Sequence, residues 1–97
     1  PAQLGAEVAA GALVVDIRPS DSRDREGALE GALILERTVL EWRLDPTSAH
    51  RVDGMRDPGQ RVVIVCNEGY ASSLAAAALR DLGLTNVTDL EGGYRAL

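Results

Sequence analysis

RVVIVCNEGYASSLAAAALRDLG, residues 61–83, reads as a buried strand, a tight loop and a helix in direct succession. Residues 61–66 are an apolar run rich in β-branched side chains, the pattern of a strand covered on both faces. Residues 73–82 place Leu74, Ala78, Leu79 and Leu82 at helical spacing, which predicts that this face is buried, and Gly83 is a normal C-terminal stop. Cys66, the only cysteine of the chain, stands at the junction. A loop of this kind can turn successive backbone N–H groups inward as an anion-binding nest. The positive end of the following helix adds to that field and favours the thiolate, which is the nucleophilic form. Gly69 would supply the positive φ that so short a loop needs. The alternative is that Cys66 is a small buried hydrophobe closing a core strand, the usual place for a cysteine outside a disulfide.

Working outward, residues 2–10 form a helix that stops at Gly11, and residues 13–17 form a second buried strand broken by Pro19. The polar residues 20–26 suit a short surface helix, and residues 32–35 are another apolar run of strand length. Thr38 and Glu41 match a capping box opening a helix with Leu40 and Leu44 on one side, which Pro46 ends. Residues 47–60 lack apolar periodicity and are predicted to be a surface loop, with residues 87–90 a last strand and a terminal helix from Tyr94. Strands alternating with helices predict an α/β fold, a small parallel sheet of four to five strands with helices on both faces. In such sheets, sites form at the carboxyl ends of the strands. Those ends carry Asp16 and Arg18, Glu36 and Arg37, and Cys66.

With 97 residues the chain supports one modest core, and residues 1–97 are read as a single domain. Hydrophobic residues make up 45% and charged residues 26%, which excludes a disordered chain. Phenylalanine is absent, so aliphatic side chains must build the core. Ten arginines, no lysine and fifteen acids give a net charge of −5 without a basic stripe, so no nucleic-acid partner is expected. No apolar stretch approaches the roughly 20 residues of a membrane span, and no signal segment opens the chain. A soluble cytoplasmic protein is the expectation. One cysteine makes no internal disulfide, and one Cys with one His cannot close a tetrahedral zinc site, so no metal is expected.

These residues together resemble the rhodanese-like family along essentially the whole chain. The family's apolar strand ending in Asp-x-Arg is similar to VVDIR, with Asp16 and Arg18. Its Gly-His-Ile-Pro-Gly-Ala segment aligns with residues 27–32, where Ala28 replaces the His and Glu30 the Pro. Its Cys-x-x-Gly-x-x-Ser loop and Ala-rich helix resemble residues 66–79, and its Gly-Gly-aromatic motif resembles Gly92, Gly93 and Tyr94, with Leu97 where a Trp is usual. The resemblance implies a sulfurtransferase in which Cys66 takes sulfane sulfur as a persulfide and passes it to a thiol or other nucleophilic acceptor. It implies that the N–H groups of Asn67, Glu68, Gly69, Tyr70, Ala71 and Ser72 hold thiolate and persulfide, with no metal or organic cofactor. The implied partners are a sulfur donor and a thiol acceptor, either small molecule or protein.

Donor choice follows from charge. The loop has Glu68 and no cation, which disfavours dianionic donors such as thiosulfate by about 1 kcal/mol after screening unless Arg18 or Arg37 turns toward the mouth. Glu68 is alternatively a solvated loop charge, and Arg37 a surface partner of Glu41 at helical spacing. Asp16 and Arg18 serve the first strand's end or the mouth. His50, in the least structured segment, is expected to be exposed, Trp42 to pack one helix face against the sheet, and Tyr94 to do the same for the terminal turn. Phosphatases with a Cys-x5-Arg loop need an arginine six positions after the cysteine, where this chain has Ser72. A non-catalytic binding module on the same fold remains the rival reading, since fold does not fix function.

Overall fold

In chain order the computed structural model runs α1 (Ala2–Ala9), β1 (Leu13–Asp16), α2 (Ser20–Glu26), β2 (Leu33–Ile34), a 3-10 turn (Arg37–Val39), α3 (Leu40–Leu44), β3 (Val62–Val65), α4 (Tyr70–Leu82) and β4 (Val87–Asp89). It describes all residues except 1, 30, 53, 56, 68, 69, 91, 92 and 95–97, together with the side chains of residues 2, 3 and 6. Four strands form one parallel sheet in the order β2-β1-β3-β4. Successive side chains leave a strand on opposite faces, and the two sides of this sheet are covered separately. Val15, Ile17, Val62 and Ile64 pack with Leu40 and Leu44 of α3 and Ala75, Ala76 and Leu79 of α4. Val14, Val63 and Val65 pack with Leu4 of α1, and Leu29, Leu90 and Tyr94 close over them.

The helix after Cys66 differs from its expected form in two respects. It begins at Tyr70 rather than Ser73, so Tyr70, Ala71 and Ser72 of the expected loop belong to the helix. Its buried face is Ser72, Ala75, Ala76 and Leu79, whereas Leu74 and Leu82 of the predicted face are 55% and 45% exposed. Helical periodicity allows either stripe, and the position of Ser72 against Cys66 selects one, because residues three, four and seven further on share its face. Small alanines on that face let the helix lie close to the sheet. Leu79→Ala is therefore expected to cost about 2–5 kcal/mol, and Leu74→Ser to stay within about 0.5 kcal/mol. Urea denaturation of the two variants checks this, and a larger loss for Leu74→Ser would restore the predicted face.

Three smaller expectations are corrected. Thr38 caps nothing: it sits inside the 3-10 turn, and α3 starts at Leu40 with no side-chain cap, although Leu40 and Leu44 are fully buried. The described residues of the segment 47–60 include turns but also send Val52 and Met55 into the core. Trp42 does not pack on the sheet. It is half exposed and lies against the ring of His50, with centroids 4.4 Å apart. The terminal helix expected from Tyr94, like Glu30, Gly92 and Leu97 of the family comparison, lies outside the described residues. No helix among the described residues is long and apolar enough to cross a membrane.

Candidate active site

The strand order reverses direction between β1 and β3, the position where open parallel sheets form their crevices. Asp16 pairs with Val65 in register, and the Ile17 N–H donates to the Val65 carbonyl at 2.9 Å, so the segments leaving both strands start side by side. One leads through Arg18 into α2, the other through Cys66 into α4.

Cys66 is 6% exposed and touches the core. The Ser72 backbone N–H donates to its Sγ at 3.3 Å, and Sγ lies 3.2 Å from the Ser72 hydroxyl oxygen, to which the thiol donates. Ser72 is fully buried. The first four N–H groups of a helix have no intrahelical acceptor, and here the sulfur accepts from one of them. The thiol thus occupies the place of a capping oxygen at the positive end of α4.

The peptide that follows Cys66 is held from two sides. Asn67 donates through Nδ2 to the hydroxyl of Ser22 in α2 at 2.9 Å, while its Oδ1 is buried with no partner among the described residues. On the other side the Tyr94 N–H donates to the Cys66 carbonyl at 2.7 Å. Gly93 has φ +69°, and a Cβ there would lie 2.5 Å from the Cys66 carbonyl oxygen and 2.6 Å from the Asn67 carbonyl carbon and oxygen.

Asp16 and Arg18 do not line a mouth. They form a buried ion pair at 2.8 Å, with Nε of Arg18 also donating to both carboxylate oxygens at 3.1 Å. Arg18 further donates to the Gly27 carbonyl at 2.9 Å and lies 3.8 Å from the Tyr94 ring centroid. The Asp16 hydrogen bonds keep the Arg18 guanidinium above its ordinary pKa, against the opposing effect of burial. An arginine so committed cannot turn to a donor without leaving Asp16 unpaired. Arg37 is a surface residue paired with Glu41 at 2.6 Å.

Of the loop residues expected to hold substrate, Ser72 meets the sulfur, and Asn67 turns its side chain to Ser22. Tyr70 and Ala71 lie exposed on the first turn of α4, with Tyr70 76% exposed. Glu68 and Gly69 lie outside the described residues. Ser22 was missed by sequence reasoning, since it sits in a polar segment with no local signal. Only the adjacency of β1 and β3 brings it to Asn67. Among the described residues no three His, Cys, Asp or Glu side chains lie together as metal ligands would.

A family model described as rhodanese-like domain matches residues 1–97. Among solved structures, a Rhodopseudomonas palustris protein of unknown function, described as a possible tyrosine phosphatase, is 32% identical with a TM-score of 0.84, over 97% of this chain and 70% of its own. A human single-domain sulfurtransferase is 25% identical with a TM-score of 0.77, over 96% of this chain and 87% of its own. A rhodanese homolog from Thermus thermophilus is 29% identical with a TM-score of 0.66, over all of this chain and 95% of its own. No curated protein matches the sequence.

Proposed function

The chain belongs to the rhodanese-like family, and from that premise we propose that residues 1–97 act as one sulfurtransferase domain with Cys66 as its nucleophile. The observation that supports this is the pair of Ser72 groups at the sulfur, the backbone N–H at 3.3 Å and the hydroxyl at 3.2 Å. In the thiol the hydroxyl accepts. Once the proton leaves, the same hydroxyl turns to donate, so the negative sulfur has two donors already in place.

The thiolate attacks the outer sulfur of a sulfane donor. The new Sγ–S bond forms as the donor's own bond to that sulfur breaks, and the donor departs with the electron pair, as sulfite from thiosulfate or as a thiolate from a persulfide. An acceptor thiolate then attacks the terminal sulfur of Cys66, the Sγ–S bond breaks, and the Cys66 thiolate returns. Neither step needs a metal or an external oxidant. The similar protein described as a possible tyrosine phosphatase raises phosphate chemistry as a rival, but Ser72 stands where a Cys-x5-Arg loop has its phosphate-clamping arginine, and it is buried against the sulfur.

Arg18 is closed on Asp16 and Arg37 on Glu41, and Tyr70 and Ala71 at the helix start bring no cation. The favoured donor is accordingly a protein persulfide or a low-charge persulfide rather than thiosulfate. Mass spectrometry after incubation with each donor is expected to show one added sulfur atom, removed by cyanide or dithiothreitol and absent in Cys66→Ser. The persulfide donor should label faster than thiosulfate by several-fold, about 1 kcal/mol in barrier. If iodoacetamide alkylates Cys66 while no donor labels it, the domain is a binding module and not a sulfurtransferase.

A further inference from the structure

Among the described residues the amide of Asn67 has a single anchor, and the anchor lies on a different helix. We propose that Ser22 and Asn67 are positioning residues that together set where the Cys66 sulfur sits relative to Ser72; this rests on the reading of Cys66 as a nucleophile. Asn67 is bonded directly to Cys66 in the chain, so any swing of its side chain that drags the backbone rotates the Cys66 carbonyl and, with it, the thiol. Three contacts oppose such a swing. Gly93 and the Tyr94 N–H hold the peptide at the C-terminal side, and the Ser22 hydroxyl holds the Asn67 side chain at the α2 side, 2.9 Å from Nδ2. Ser22 is itself fixed: it is 4% exposed, and its backbone N–H donates to the Pro19 carbonyl at 3.1 Å, in the first turn of α2.

The Asn67 Oδ1 is already buried without a partner among the described residues. With the Ser22 hydroxyl gone, the amide keeps no described hydrogen bond and regains one only by moving toward water. That movement carries the Cys66–Asn67 peptide away from its place, and the Ser72 N–H and hydroxyl then stabilise the thiolate less well. Asn67 in this arrangement is not a substrate contact. It transmits the position of α2 to the sulfur, which couples the segment leaving β1 to the one leaving β3.

The test is the rate of Cys66 alkylation by iodoacetamide as a function of pH, measured alongside the melting temperature. Asp16 and Arg18 at the end of β1, Asp21, Arg23, Asp24, Arg25 and Glu26 in α2, and Tyr94 beside the Cys66 carbonyl are the charged or titratable groups on the described elements next to this loop, and none is altered by the substitutions below. The first turn of α4 contains no acidic residue. Ser22→Ala is expected to move the midpoint of the profile to higher pH by about one unit, so the rate falls about tenfold at pH values well below the midpoint. Ser22→Thr keeps the hydroxyl and should restore the wild-type midpoint. Asn67→Ala should match Ser22→Ala, and the double variant should be no worse than either single one. Melting temperature should drop by about 4–8 °C in both single variants, and that drop alone does not separate positioning from simple packing. The midpoint does. A Ser22→Ala midpoint equal to wild type, or single effects that add in the double variant, would overturn the proposal. Because alkylation requires no sulfur donor, failure of every donor to label Cys66 rejects the sulfurtransferase reading and leaves this result standing by itself.

Discussion

Asp16→Leu is expected to lower the unfolding free energy by about 3–5 kcal/mol, the cost of leaving one member of a buried ion pair without its partner. Both residues are removed from solvent, Asp16 completely and Arg18 to 2% exposure. The guanidinium would keep the Gly27 carbonyl and the face of Tyr94, neither of which carries a full negative charge. A domain of this size has about 5–15 kcal/mol in total, so the variant approaches the edge of folding at ambient temperature. The loss is about the missing partner and not about charge burial as such. Asp16→Leu combined with Arg18→Met removes both charges and is expected to be less destabilised than the sum of the two single variants by at least about 2 kcal/mol. Recovery stays incomplete, because Gly27 and Tyr94 lose the arginine. Urea denaturation of the four proteins in the cycle measures the coupling, and strictly additive losses would show that the pair contributes only through shape.

The strands and their parallel arrangement are legible in the sequence because their signal is local: short runs rich in β-branched residues at 13–17 and 61–66 suit strands covered on both faces. The junction that carries Cys66 was legible for the same reason, since strand, glycine and alanine-rich helix follow one another within a single run. What the sequence hid was rotation and reach. The expected stripe of Leu74, Ala78, Leu79 and Leu82 has as good a helical period as Ser72, Ala75, Ala76 and Leu79, and larger side chains, yet of it only Leu79 is fully buried, and the set with the smaller side chains faces the sheet. The deciding contact, Ser72 with the Cys66 sulfur, is tertiary. Arg18 could have served the mouth on sequence grounds. The carboxylate two residues earlier closes on it, leaving no freedom to turn. Ser22 and Asn67 are 45 positions apart, and nothing within either segment announces the other.

Gly93→Ala is expected to disturb Cys66 more than any substitution at a residue whose side chain touches neither the sulfur nor Ser72. Two separate costs meet at this position. The backbone has φ +69°, where a Cβ costs about 1–2 kcal/mol. The added methyl would also sit 2.5 Å from the Cys66 carbonyl oxygen and 2.6 Å from the Asn67 carbonyl carbon, and these are backbone atoms that cannot rotate aside as a long side chain could. Relief requires the two segments to separate, which breaks the bond from the Tyr94 N–H to the Cys66 carbonyl and pulls the Tyr94 ring off Arg18. Losing one buried backbone bond adds about 1–3 kcal/mol, for a total near 2–5 kcal/mol. Gly83→Ala separates the two costs. Gly83 also has positive φ, +116°, but a methyl added there would meet no described atom within 4 Å, so it incurs backbone strain alone. The expected order is a fall in melting temperature with unchanged Cys66 alkylation for Gly83→Ala, and a larger fall with at least about tenfold slower alkylation of the folded protein for Gly93→Ala. Equal melting temperatures for the two variants would mean that the chain after β4 yields easily, and that the close approach of Gly93 does not hold the peptide on which the sulfur is mounted.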